Sequence, residues 1–339
     1  MSVLVTGGAG YIGSHTVLSL LEAGFKVVVV DNFVNSSEAS LERVKKLTGK
    51  DFDFYEGDIR DVSFLKKVFE SNRDIKSVIH FAGLKSVGES VKHPLEYYDV
   101  NFSGTLKLLD VMNKYQVNEF IFSSSATVYG SPSAIPLTED CKTGGTTNPY
   151  GTSKYFVEKA LVDICNANEN LKVKILRYFN PVGAHNSGMI GESPKGIPNN
   201  ILPYITQVAV GKLSVLKVFG NDYATSDGTG VRDYIHVMDL AEGHIAALNH
   251  NKNNKNLYVF NLGTGCGYSV LELIYNFEKI AGVKIPYEIT ARREGDIAEC
   301  WSDPTLANEV LNWRATRGIK EMLEDAWRWQ KQNPNGYCG

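Results

Sequence analysis

Val3-Leu4-Val5-Thr6-Gly7-Gly8-Ala9-Gly10-Tyr11-Ile12-Gly13 reads as a short apolar strand running into a glycine turn. An amphipathic segment, Ser14 to Ala23, follows it, and then Val27-Val28-Val29-Val30-Asp31. A glycine turn between strand and helix lets the backbone approach a pyrophosphate and presents that anion to the helix N-terminus. Asp31 ends the second strand about 20 residues after the glycines, where a carboxylate can hydrogen-bond the adenosine ribose hydroxyls and would repel a 2′-phosphate. The pattern therefore predicts a dinucleotide site that favours NAD over NADP. Glycines also cluster in purely structural turns, but here the strand before, the helix after and the acid on the next strand supply the three contexts the motif requires.

Outward from this stretch, strand-like runs near 2–6, 26–31, 52–57, 76–81, 118–123 and 171–178 alternate with helix-like runs near 11–24, 61–72, 95–115 and 149–169. Such alternation predicts an α/β fold, a doubly wound parallel (Rossmann) sheet. After Asn180 the pattern gives way to loops rich in Pro, Gly and Asn, from Pro181 to Pro198. We expect residues 1–180 to form the NAD-binding part and residues 181–339 mainly a smaller, interleaved substrate region. Tyr234-Ile235-His236-Val237 and Tyr258 to Leu262 are expected to return to the first sheet, near 231–262. The polar stretch Asn249 to Asn256 reads as a surface loop.

With 339 residues, 43% of them hydrophobic, the chain can bury a large core. A net charge of −3 without a basic stripe argues against nucleic acid as a partner. No apolar run approaches a membrane span, and the first strand begins at Val3, so no membrane association, no signal peptide and a cytoplasmic location are expected. The five cysteines, Cys141, Cys165, Cys266, Cys300 and Cys338, are scattered, and neither a disulfide frame nor a metal site is indicated. Asn35-Ser36-Ser37 and Asn101-Phe102-Ser103 match glycosylation sequons, read here as chance.

The chemistry is expected at Tyr150-Gly151-Thr152-Ser153-Lys154. On a helix, positions i and i+4 share a face, so the lysine lies one turn from the tyrosine. A nearby ammonium would stabilise the phenolate and lower the tyrosine pKa, making an acid/base group near neutral pH. The strand Glu119 to Phe122 ends in Ser123-Ser124-Ser125, at the carboxyl edge where such sheets bind ligands. There Ser125 could hydrogen-bond a substrate hydroxyl.

The glycine turn, Asp31, Asp58-Ile59, Ser125, Tyr150 and Lys154 together resemble the extended short-chain dehydrogenase/reductase family. The strings Phe81-Ala82-Gly83-Leu84-Lys85, Ser123 to Gly130, Arg177 to His185, Gly196 to Asn200 and Arg232 to His236 are similar, over essentially the whole chain, to its UDP-galactose 4-epimerase branch. The resemblance implies C4 epimerisation of a UDP-hexose. Tyr150 would take the 4-hydroxyl proton while hydride passes to a tightly held NAD, and the resulting 4-keto sugar would turn over before the hydride returns. It also implies a cofactor site at Gly7, Gly10, Tyr11, Ile12, Gly13, Asp31, Asn32, Asn35, Ser36, Asp58, Ile59, Phe81, Ala82, Gly83, Lys85 and Phe179. The substrate site would comprise Asn180, Asn200, Arg232, Arg293, Asp296 and Cys300. Guanidinium groups suit a diphosphate. A homodimer is implied through the helices near 95–115 and 149–169, where Phe156, Ala160, Leu161 and Ile164 form an apolar stripe, although core packing would explain that stripe equally well.

The alternative is an NAD-dependent nucleotide-sugar 4,6-dehydratase, which shares the fold and the Tyr/Lys pair. Such enzymes follow the serine-threonine segment with an Asp-Glu pair, where this chain has Ala126-Thr127. Small Cys300 would leave room beside the sugar C2, so UDP-N-acetylhexosamines are expected to be accepted as well.

Overall fold

The computed structural model describes residues 2–132, 134–250, 255–293 and 295–337. Cys338 and the centre of the polar stretch after Asn249 lie outside the described residues.

Seven parallel strands form the main sheet: β1 (Ser2–Thr6), β2 (Lys26–Asp31), β3 (Asp53–Glu56), β4 (Ile75–His80), β5 (Glu119–Ser125) and β6 (Lys172–Tyr178), joined by a late seventh strand. Numbering on along the chain gives β7 (Asn180–Val182), β8 (Leu216–Phe219), β9 (Val231–His236), β10 (Leu257–Leu262), β11 (Gly267–Ser269), β12 (Tyr287–Thr290) and β13 (Glu299–Cys300). The spatial order is β3-β2-β1-β4-β5-β6-β10, so the chain reverses direction across the sheet between β1 and β4. Ligands of open α/β sheets bind outside the carboxyl ends of the strands at such a reversal. Continuous apolar runs such as Val27 to Val30 are buried because helices cover both faces of the sheet.

One expected return of the chain occurs and the other does not. Leu257–Leu262 pairs with β6 in register Tyr258↔Lys174, whereas Val231–His236 joins β7, β11 and β13 in a separate four-stranded sheet. Both segments are short apolar runs, and periodicity alone does not say which sheet a strand enters. The helix expected at 95–115 is broken into Pro94–Tyr97, a π-helical turn Tyr98–Ser103 and Gly104–Lys114. A helix at Glu38–Thr48, flanked by Ser37 and by Gly49 in the left-handed region, was not anticipated; only Ser40, Leu41 and Val44 of it are buried, too few to make a strong apolar period.

Candidate active site

The glycine turn is shaped by contact. Gly7 has φ +72, and a Cβ there would lie 2.6 Å from Ala82 N; at Gly13 a Cβ would lie 2.1 Å from Gly7 O. Only glycine allows the first turn of the helix Tyr11–Glu22 to press so closely on β1. Gly10 precedes that helix with no side-chain cap, so its first amide groups are left to whatever anion lies there. At the edge of the turn, the Tyr11 hydroxyl donates to Gly183 O at 2.7 Å.

Asp31 is buried and works on the loop itself: it accepts from Ala9 N at 2.9 Å, Phe33 N at 3.0 Å and Ser36 Oγ at 2.7 Å. A carboxylate has about four acceptor positions, so one direction is left for a ribose hydroxyl. Asn35 stands exposed on the same loop. Asn32 Nδ2 donates to Asp58 at 3.2 Å, and the Arg60 guanidinium, in a fork with Asp58, holds that carboxyl below its ordinary range. Ile59 is buried behind them.

At the carboxyl end of β4, Phe81 N and Ala82 N both donate to Thr6 O, tying the Phe81-Ala82-Gly83 turn to the glycine loop. Asn101, on the π-helical turn, receives Leu84 N at 2.8 Å and donates to Leu84 O and Ser153 Oγ. It thus joins the turn after β4 to the helix that carries Tyr150. Sequence reading noticed this residue only as part of a sequon; folded, it is 3% exposed and fully engaged. No chemical pattern marks it, because its role depends on a π turn that spacing does not show. Under the turn, His80 bridges Thr6 and Thr105. Thr105 gives its proton to Asn101 O, so His80 Nε2 donates to Thr105 and Nδ1 accepts from Thr6.

The catalytic candidates meet at the ends of β5 and β6. Asn148 caps the helix Pro149–Ala167, and Tyr150 and Lys154 lie on its first turns. Glu158, one turn further, takes a two-pronged contact from Arg177 on β6, at 3.1 Å from Nε and 2.8 Å from Nη2, pinning the helix to the sheet. Ser125, opposite Tyr178 in the ladder, accepts from Thr127 N at 3.2 Å and Thr127 Oγ1 at 3.0 Å. Ala126 and Thr127 form the turn that follows, with no carboxylate at either position.

The expected pKa effect of the lysine is reversed in the protein alone. Burial pushes the Tyr150 phenol above its ordinary value, and the Ser125 hydrogen bond only pulls against that rise. Lys154 donates to the Ser123 carbonyl at 2.7 Å, and burial lowers its ammonium to about 8. Helical spacing fixed the shared face but not the partner of the ammonium.

Three of the predicted substrate residues lie on the second sheet. Cys300 on β13 pairs in register with Arg232 on β9, and Asn180 opens β7 beside the same strand. Arg232 Nη1 donates to Val231 O at 2.8 Å, while Arg293 pairs with Asp296 at 3.0 Å over the Phe219 ring. Cys300 is 9% exposed and packs with Phe179, Leu137 and Tyr129, and burial pushes its thiol up to about 11. A thiol so placed stays neutral. Asn200 and Lys85, assigned to different ligands, both donate to Glu192 Oε1, at 2.7 and 3.1 Å. Glu192 was missed because it sits in an irregular loop without a motif.

The family model described as GDP-mannose 4,6 dehydratase matches residues 4–326. The UDP-glucose 4-epimerase of Pasteurella multocida is 61% identical over 337 residues, covering 99% of both chains. That of Haemophilus influenzae is 62% identical over 337 residues, again 99% of each. A crystal structure of the UDP-glucose 4-epimerase from Bifidobacterium longum, in complex with NAD+ and UDP, superposes with TM-score 0.96 at 55% identity, covering 99% of this chain and 100% of that one. With this agreement over its whole length, the chain belongs to the UDP-glucose 4-epimerase family of NAD-dependent extended short-chain dehydrogenases/reductases.

Proposed function

We propose that this chain interconverts UDP-galactose and UDP-glucose by C4 epimerisation, residues 1–180 holding NAD and the region from 181 onward holding mainly the UDP-sugar. The observation that carries the reading is the convergence of Ser125, Tyr150 and Lys154 at the carboxyl edge of the sheet, beside a glycine turn that has no room for a side chain. Ala126 and Thr127 offer no acid for elimination, which favours epimerisation over the 4,6-dehydratase alternative.

Tyr150 takes the proton of the sugar 4-hydroxyl, and Ser125, at the end of β5, holds that hydroxyl in line. NAD, when bound, accepts the C4 hydride and gives it back to the opposite face of the 4-keto sugar. Lys154 supplies the positive charge that offsets the burial of Tyr150 once proton transfer begins, as an opposite charge favours the ionised form. Arg232 and Arg293 meet the diphosphate, with Asn180, Asn200 and Asp296 around the nucleotide. The turn at Phe81-Ala82-Gly83, together with Lys85 and Phe179, encloses the nicotinamide half, and Asp31, Asn32, Asn35, Ser36, Asp58 and Ile59 the adenosine half. Purified protein incubated with UDP-galactose and no added coenzyme should yield UDP-glucose. Activity that requires NADP, or stoichiometric build-up of external NADH, would overturn the reading.

We also infer a homodimer. Leu95 is 84% exposed, Val91 60%, Phe156 43% and Val87 41%, an apolar face beside the aromatic cluster of Tyr98, Phe102 and Tyr155. Of the expected stripe, Leu161 belongs to the core instead. Leu95→Glu should shift the protein towards monomer in sedimentation; an unchanged mass would place the interface elsewhere. The described cysteines are all free, which suits a cytosolic, reducing compartment.

A further inference from the structure

The segment from Glu192 to Asn200 has no regular structure, yet its side chains reach both loops to which the proposed function assigns cofactor residues. Lys195 Nζ donates to Phe33 O at 2.9 Å and to Val34 O at 2.8 Å, in the loop after β2 that carries Asn32, Asn35 and Ser36. Asn199 Nδ2 donates to Ser86 Oγ at 3.1 Å, and Glu192 receives Lys85 Nζ at 3.1 Å, both beyond the carboxyl end of β4. Between those loops Tyr11, at the end of the glycine turn, lines one cavity with Glu192. The segment thus runs along the carboxyl edge of the sheet, from the loop after β2, past the glycine turn, to the turn after β4.

The ends of this segment are anchored and its middle is open to solvent. Trp329 Nε1 donates to Glu192 O at 3.0 Å and Gly191 N to the Tyr337 hydroxyl at 3.2 Å, while the far end leads into the helix Ile201–Ala209. Lys195, Gly196 and Ile197 are exposed, and Gly196 takes φ +78. Phe33, whose carbonyl accepts one of the two lysine bonds, has φ +56, which a bulky residue keeps only where its surroundings hold it. We propose that the segment 192–200 is a strap closed over bound dinucleotide, and that Lys195 is its latch, a cofactor-retaining residue. The inference rests on the epimerase reading, in which NAD stays bound from one turnover to the next. A contact made by one exposed side chain opens locally, without unfolding the sheet. Departure of the dinucleotide then waits on the opening of that contact.

The test is the exchange of bound dinucleotide for isotopically labelled NAD, added in excess to the purified protein, in the parent, Lys195→Met and Lys195→Arg. Methionine is a long, flexible side chain without a donor, so exchange should be faster on the order of 10-fold, the worth of one hydrogen bond from a charged group. Lys195→Arg keeps a cation that can donate to both carbonyls, and its exchange should stay within about threefold of the parent. With NAD in excess, kcat for UDP-galactose should be parental in both variants, because the latch touches no reacting group. Parental exchange in Lys195→Met, or a Lys195→Arg as fast as Lys195→Met, would overturn the latch, because a lysine that merely decorates the surface predicts those results. A parent that is purified without nicotinamide dinucleotide, or that fails to epimerise UDP-galactose, would overturn the functional reading itself, a failure separate from that of the latch.

Discussion

At residue scale the decisive groups are few and their environments differ from what spacing implies. Tyr150 is held above its ordinary pKa by burial, so its use as a base depends on charge brought to it, from Lys154 and from the ligands it faces. Tyr150→Phe keeps the ring and removes the proton acceptor; turnover should fall by roughly 10²- to 10⁴-fold while UDP still binds, measured by steady-state kinetics and calorimetry. Near-parental activity would mean that another group is the base. For Cys300 we propose a role of size: it is buried beside Phe179 and Arg232, with a neutral thiol. We expect the parent to interconvert UDP-N-acetylglucosamine and UDP-N-acetylgalactosamine as well as the plain hexoses. Cys300→Tyr should exclude the acetamido sugars by steric overlap and spare UDP-galactose. Rejection of N-acetyl sugars by the parent, or their unchanged use by the variant, would show that Cys300 is not the gate.

At the scale of elements, the parts legible in the sequence are those whose chemistry is local. The strand, glycine turn, helix and acid of residues 3–31 follow from apolar runs and from a backbone position that rejects Cβ, and the structure places them as read. Asn101 and Glu192 were not legible, because each acts through partners distant in sequence, Ser153 for the first and Lys85 for the second. The strand Val231–His236 was recognised as a strand but assigned to the wrong sheet for the same reason, since sheet membership is a long-range property. The glycine turn permits a sharp test. Gly13→Ala would set a Cβ 2.1 Å from Gly7 O, a backbone contact that no rotamer can relieve. Stability should fall by about 1–3 kcal/mol, the usual range for overpacking. Release of nicotinamide dinucleotide on denaturation should drop as well. A variant with parental melting temperature and full dinucleotide content would show that the helix can retreat without cost.

Across the whole molecule, three buried histidines brace the layers around the cofactor side of the sheet. His15 lies on the first helix against Tyr11 O and accepts from His185 N; His80 joins Thr6 to Thr105; His244 joins Tyr178 to Leu240. Burial lowers them to about 3, about 3 and about 4 respectively, against an ordinary value of 6.5. A folded-state pKa below the unfolded one means that the unfolded chain binds protons the native state refuses. Their contribution is therefore intact above about pH 6.5 and is lost progressively as pH falls toward the folded values. Each such group can steepen the loss by at most about 1.4 kcal/mol per pH unit. The carboxylates Asp58 and Asp325 lie below the ordinary aspartate range, so their own contributions fade only in stronger acid. In the interval from pH 6.5 to 5 the histidines therefore dominate, opposed only by carboxyls such as Glu139, which burial raises. Urea unfolding across it should show stability falling steeply with acid. His80→Asn, a residue that does not titrate, should flatten that fall by up to one group's share while lowering stability at neutral pH through the lost threonine contacts. Equal slopes in parent and variant would mean that His80 takes up its proton in the folded state at ordinary pH, and that the bridge between Thr6 and Thr105 opens without unfolding.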